Sequence, residues 1–172
     1  AASDVYKRQL LGLALFETVG HWDNHLEAQV NVFLFALVPA LMFRFALAAA
    51  QSWLRIAMAV MVLSVSVLPF SWENFLVGFQ SQFYFLLLAA LGAMALAATR
   101  PWGLAANTAM FALAALACLT SASGLLAPLA CAGLYLLRLW LLPREHPVRA
   151  LALAIALVAG AAIAYATTPV VP

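Results

Sequence analysis

Residues 83–98 read FYFLLLAALGAMALAA, sixteen residues with no charge and no proline, preceded by Gln80, Ser81 and Gln82 and followed by Thr99, Arg100, Pro101, Trp102 and Gly103. The run shows none of the apolar–polar alternation of a half-buried strand, and its Ala and Leu content favours helix. At 1.5 Å per residue it approaches the thickness of a bilayer's hydrocarbon core, which about 20 apolar residues cross. The rest of the chain repeats the pattern. Of 172 residues, 67% are hydrophobic and 8% charged, and the mean hydropathy is +1.05. Soluble domains carry roughly 25% charged residues, so lipid has to be the solvent for most of this surface. An outer-membrane barrel is excluded, because its strands alternate apolar and polar in segments of about ten residues.

Outward from this segment, apolar runs cover 26–43 and 56–70 on the N-terminal side, and 104–119, 125–142 and 150–166 on the C-terminal side. A shorter run, 10–16, reads as the tail of a helix cut short. The expected fold is an all-α polytopic transmembrane helical bundle of about six crossings. Its short turns favour antiparallel neighbours, and its many Ala and Gly residues permit close helix approach. Pro39 falls inside the first full run and is expected to kink it. Cys118 and Cys131 sit inside apolar runs and read as small hydrophobes rather than as a disulfide or metal ligands.

Residues 1–9, AASDVYKRQ, resemble the conceptual translation of a transposon-type sequencing adapter. That resemblance implies a metagenomic fragment. Residues 1–9 are then a non-native peptide, and 10–172 are a single transmembrane helical domain whose upstream helices are missing. Asp4, Lys7 and Arg8 are therefore left out of the charge map.

Six arginines remain: Arg44, Arg55, Arg100, Arg138, Arg144 and Arg149. With the 17–25 loop placed outside, every one falls at a cytoplasmic connection, while Glu17, Asp23, Glu27 and Glu73 fall outside and only Glu145 falls inside. Trp22, Trp53, Trp72, Trp102 and Trp140 lie at segment ends, where an aromatic belt puts them. Arg144 and Arg149 are expected to meet anionic lipid headgroups, and His146 to be a solvated loop residue.

Two stretches carry candidate chemistry, both on the outer side. In HWDNHLEAQVN, residues 21–31, Asp23, Glu27 and Asn31 are spaced four apart. A helix starting near Asn24 makes them one stripe entering the outer leaflet, where polar groups face the bundle interior or a wet cavity. The stripe reads either as a general base or a cation-binding acidic cluster, or as a helix start, with Asn24 and Glu27 forming a capping box and Asp23 favouring the N-terminus. His21 and His25, also four apart, leave room for a divalent metal with Asp23 or Glu27. In WENFLVGFQSQ, residues 72–82, Glu73 is the second candidate carboxylate. Trp72, Asn74, Gln80 and Gln82 are candidate partners for a polar headgroup or sugar, and the other reading is an interfacial anchor with Glu73 solvated. The 120–124 stretch, TSASG, reads as a turn, and Ser64 and Ser66 as hydroxyls bonded to helix backbone or a neighbouring helix. The sequence has no P-loop, no dinucleotide-binding glycine pattern, no HExxH and no zinc-type CxxC, and nothing in it suggests nucleic acid.

The pairing of GHWDNHLEAQVN with PFSWENFLVGFQSQFYF resembles a group of uncharacterised bacterial polytopic membrane proteins, on Trp72, Glu73, Asn74, Gly78, Phe79, Gln80, Gln82 and Phe83. That group is similar in layout to GT-C-type glycosyltransferases, which use a polyprenyl-phosphate sugar at the periplasmic face. The resemblance covers roughly residues 17–124. It implies a multi-pass protein of the bacterial inner membrane with periplasmic acidic loops. The catalytic base would be Asp23, Glu27 or Glu73, sometimes aided by a metal, and Asn31, Trp72, Asn74, Gln80 and Gln82 would bind the substrate. The alternatives are a multi-pass transporter or flippase-like protein, which would want polar groups near the bilayer midplane, and a structural subunit without chemistry of its own.

Overall fold

In the computed structural model the described residues are 10–21, 23–47, 51–67 and 81–167. They form seven α-helices, one 3-10 turn and no strand. The helices are α1 (Leu10–Val19), α2 (Asn24–Leu47), α3 (Ser52–Val67), α4 (Ser81–Thr99), α5 (Leu104–Thr120), α6 (Leu126–Leu141) and α7 (Pro147–Thr167), with the 3-10 turn at Ala122–Leu125. Four are long and apolar enough to cross a membrane, over Asn24–Phe45, Gln82–Thr99, Ser123–Leu141 and Pro147–Thr167. The other two apolar helices, over Ser52–Ser64 and Leu104–Thr120, are shorter. At 1.5 Å per residue α5 reaches only about 25 Å, against a hydrocarbon core of about 30 Å. Membrane-length helices thus number four among the described residues, where the sequence predicts about six crossings.

The chain divides inside α4 into two units, Ala1–Phe85 and Leu86–Pro172. In the first, α1 ends at Gly20, whose φ of +78° lets its N–H reach the Phe16 carbonyl at 2.7 Å. The helix expected over 10–16 therefore runs three residues further, to Val19. α2 continues through Pro39 to Leu47 and buries Asn31, Leu34 and Val38, spaced to lie on one face. Val62 is buried in α3. At the start of α4, Tyr84 is buried and meets the Phe35 ring of α2 edge-on, centroids 5.9 Å apart and planes at 68°.

The second unit has a core of small side chains. α7 buries Ala150, Ala154, Leu157 and Ala161, spaced so that they share one face. The facing core includes Cys131, Ala132 and Tyr135 of α6, Met110 and Ala114 of α5, and Ala93 and Ala97 of α4. Alanine at these positions lets helix backbones approach closely, which is how helices associate where lipid is as apolar as leucine. The opposite faces carry Leu104, Leu119, Leu126, Val148, Ile155 and Ile163, all exposed, as surfaces solvated by lipid would be. Hydroxyls on the helices are bonded internally: Ser66 donates to the Val62 carbonyl at 2.6 Å, Thr99 to Ala95 at 2.8 Å and Thr120 to Ala117 at 2.7 Å. Both cysteines are free.

Candidate functional site

The polar stripe at the start of α2 is assembled by ordinary helix chemistry. Asp23 is the N-cap. Its Oδ1 accepts from the His25 N–H at 2.8 Å and the Leu26 N–H at 3.2 Å, satisfying two of the donors that a helix start leaves open. Its carbonyl takes the first intrahelical bond, from the Glu27 N–H at 3.1 Å. Asn24 is consequently the first helical residue; the cap expected at Asn24 falls one residue earlier, at Asp23, which puts Leu26 rather than Glu27 at the position a capping box needs. An aspartate there also sets its negative charge against the positive helix end, as does Glu27 in the first turn.

From this cap the stripe runs inward. Asp23 and Glu27 are half-buried, and Asn31, eight residues past the cap, is 0% exposed. At 1.5 Å per residue its amide lies about 12 Å along the helix from Asp23. Among the described residues neither Asn31 Oδ1 nor Asn31 Nδ2 has a hydrogen-bond partner. A buried amide left unmatched costs about 1–3 kcal/mol, which makes Asn31 the one side chain of the stripe that packing alone does not account for. Below it the same face turns apolar at Leu34 and Val38.

Of the other expected site residues, Gln82 is half-buried in the first turn of α4, two residues before Tyr84. It thus lies in the element that meets α2 at Phe35, one turn beyond Asn31. Trp72, Glu73, Asn74 and Gln80 lie outside the described residues. His21 and His25 are exposed, and the His21 ring places Nδ1 3.3 Å from the Val19 carbonyl. Among the described residues no three of His, Cys, Asp and Glu gather as a metal site.

A second polar cluster, in the other unit, was not singled out from the sequence. Tyr135 is 1% exposed, and its hydroxyl donates to Asn107 Oδ1 at 3.0 Å, with the Pro101 carbonyl at 3.3 Å. Trp102 packs against the Tyr135 ring, centroids 6.2 Å apart. On its other contacts it carries the Arg138 guanidinium, 5.9 Å from the ring centroid, and His146 edge-on at 5.0 Å. His146, expected to be merely solvated, is exposed but held on this indole, with φ of +49° just before Pro147 opens α7. The available signal was a lone Asn near the start of one apolar run and a lone Tyr inside another. Their partnership spans 28 residues and no local pattern reveals it.

The chain matches no protein-family model, no curated protein and no solved structure.

Proposed function

We propose that this chain is part of a multi-pass membrane glycosyltransferase that takes sugar from a polyprenyl-phosphate donor at the non-cytoplasmic face, with the head of α2 as part of its active site. All six apolar helices cross in this reading, the short α3 and α5 with local thinning of the bilayer. The charge alternation supports that topology, since six crossings put every arginine of residues 10–172 on one side and Glu17, Asp23, Glu27 and Glu73 on the other. The observation that carries the proposal is Asn31: a fully buried amide without a partner among the described residues, at the foot of a stripe that begins with two carboxylates. Buried polar groups are almost always matched, and a sugar hydroxyl can both donate to Asn31 Oδ1 and accept from Nδ2.

Asp23 is committed to its cap, so Glu27 is the carboxylate of the described stripe that is placed for proton transfer. It accepts the proton of the acceptor hydroxyl as that oxygen bonds to the anomeric carbon of the donor sugar. The anomeric C–O bond breaks, and its electron pair leaves with the polyprenyl phosphate. The acceptor oxygen has to come within hydrogen-bond reach of Glu27, directly or through one water. The polar groups stay within the first turns of α2, whereas passage through the membrane calls for polar groups and broken helices at the midplane.

Asn31→Leu tests the reading in two ways. Leucine keeps the branching of asparagine at Cγ with bulkier methyl groups and leaves nothing to desolvate, so in unfolding titrations in detergent the free protein is expected to gain up to about 1–3 kcal/mol, less the strain of the added volume. In cells carrying the gene, the glycosylated product is expected to disappear from mass spectra of the lipid-linked and acceptor pools. An undiminished product would overturn the assignment of Asn31.

A further inference from the structure

At the end of the second unit where α4 and α6 finish, a cleft of about 180 Å³ opens beside Arg138. Its walls are Ala97 and Ala98 of α4 and Leu134, Leu137 and Leu141 of α6, with the Arg138 side chain as its polar component. We propose that this cleft seats one anionic phospholipid, with an acyl-chain segment among the alanines and leucines and the phosphate on the Arg138 guanidinium.

The lining chooses the occupant. A space about six times the share of one water in liquid, walled by alanine and leucine, offers water almost nothing to bond and suits hydrocarbon. The four helices of the unit bring Arg100, Arg138, Arg144 and Arg149 to this end, against the carboxylate of Glu145, which gives a formal surplus of 4 − 1 = +3. A cationic or neutral partner gains nothing from that surplus, and a phosphate does.

Arg138 is held in place before any lipid arrives. Its Nη2 donates to the Ala98 carbonyl at 2.8 Å, and the guanidinium lies over Trp102. Glu145 Oε2 stands 3.7 Å from Nη1, too far for a direct hydrogen bond, and both side chains retain solvent exposure. With five N–H groups on the guanidinium, enough donors remain for a phosphate. Half-buried Trp102 lies against the guanidinium and exposed Trp140 at the same end of α6, as aromatic side chains do at the headgroup level.

The test is native mass spectrometry of the full chain, released from neutral detergent after equilibration with equimolar phosphatidylglycerol and phosphatidylcholine. One retained phosphatidylglycerol per chain is expected, favoured at least fivefold over phosphatidylcholine. Arg138→Gln should bring the ratio close to one, while Arg138→Lys and Arg144→Gln should keep most of the preference. Ala98→Phe leaves the guanidinium and the Ala98 carbonyl intact, fills the cleft, and should abolish retention of either lipid; it carries the test alone if Arg138→Gln does not fold. Equal retention of the two lipids would overturn the proposal. So would a preference that survives Arg138→Gln or Ala98→Phe, or a lipid-free dimer showing that a second copy of the chain covers the cleft.

Discussion

Glu27→Gln is expected to lower product formation by about 10²–10⁴-fold, the range in which positioned general bases contribute. The substitution keeps the shape of the side chain and leaves the cap of α2 untouched, because the cap is Asp23 and the bond that Glu27 makes to it comes from backbone N–H. The paired variant is Asp23→Asn. Asparagine caps a helix as well as aspartate does, so this protein should fold and keep nearly full product. The two variants together separate chemistry from helix initiation at neighbouring positions of one stripe. Mass spectrometry of lipid-linked sugars and acceptor, from cells with each variant of the gene, reads the result. Full product from Glu27→Gln with none from Asp23→Asn would move the base to the cap residue. Full product from both would remove the head of α2 from the chemistry and leave Glu73 as the remaining candidate carboxylate.

Gly124→Ala is expected to be the most damaging single substitution for stability, at about 3 kcal/mol, the upper end of the usual cost of overpacking. Gly124 is buried in the 3-10 turn, and a Cβ placed on it overlaps the Ala117 carbonyl of α5 and comes within 2.9 Å of the Cys118 nitrogen. Those are backbone atoms and cannot rotate away. The Ala117 carbonyl is further fixed by the Thr120 hydroxyl at 2.7 Å, and the Gly124 N–H is tied to the Ser121 carbonyl at 2.9 Å. Gly133→Ala and Gly160→Ala provide the internal comparison. A Cβ at either position meets nothing within 4 Å, and both glycines lie within helices. Each should be neutral or stabilising by up to about 1 kcal/mol. Unfolding titrations of the three purified variants in detergent check the ordering. Equal stability of all three would mean that the turn does not rest on α5 as described.

The legible parts of this fold were those that composition and proline dictate. α4 and α7 begin and end within three residues of the apolar runs 83–98 and 150–166, because continuous Ala and Leu leave no competing structure and Arg100–Pro101 and Pro147 set sharp limits. The start of α2 at Asn24 was legible, its cap only to within one residue. Asp23 and Asn24 are both good caps, and which one bends to the N–H groups depends on backbone geometry that the residue types do not specify. Length explains why four helices rather than six reach membrane length: the runs 56–70 and 104–119 are apolar but short, and so are their helices over the described residues. In the candidate site, four-residue spacing revealed that Asp23, Glu27 and Asn31 share a face. It could not reveal that Asn31 would be sealed from solvent and unmatched, since burial is decided by what packs over it. Tyr135 with Asn107, and Trp102 with His146, are contacts across long sequence separations and have no local signature.

Sidedness is the claim on which the proposed chemistry stands, and single-cysteine labelling in intact cells tests it most directly. In a Cys118→Ala, Cys131→Ala background, cysteines placed one at a time at His21, Gln51, Arg100, Ser123 and Glu145 are exposed to a membrane-impermeant maleimide. The six-crossing account predicts labelling from outside at His21 and Ser123, and labelling at Gln51, Arg100 and Glu145 only after the membrane is opened. Labelling at Arg100 from outside, together with Ser123, would show that α3 and α5 do not cross. Protection of His21 from the outside reagent would put Asp23 and Glu27 on the wrong side for a periplasmic lipid-linked sugar.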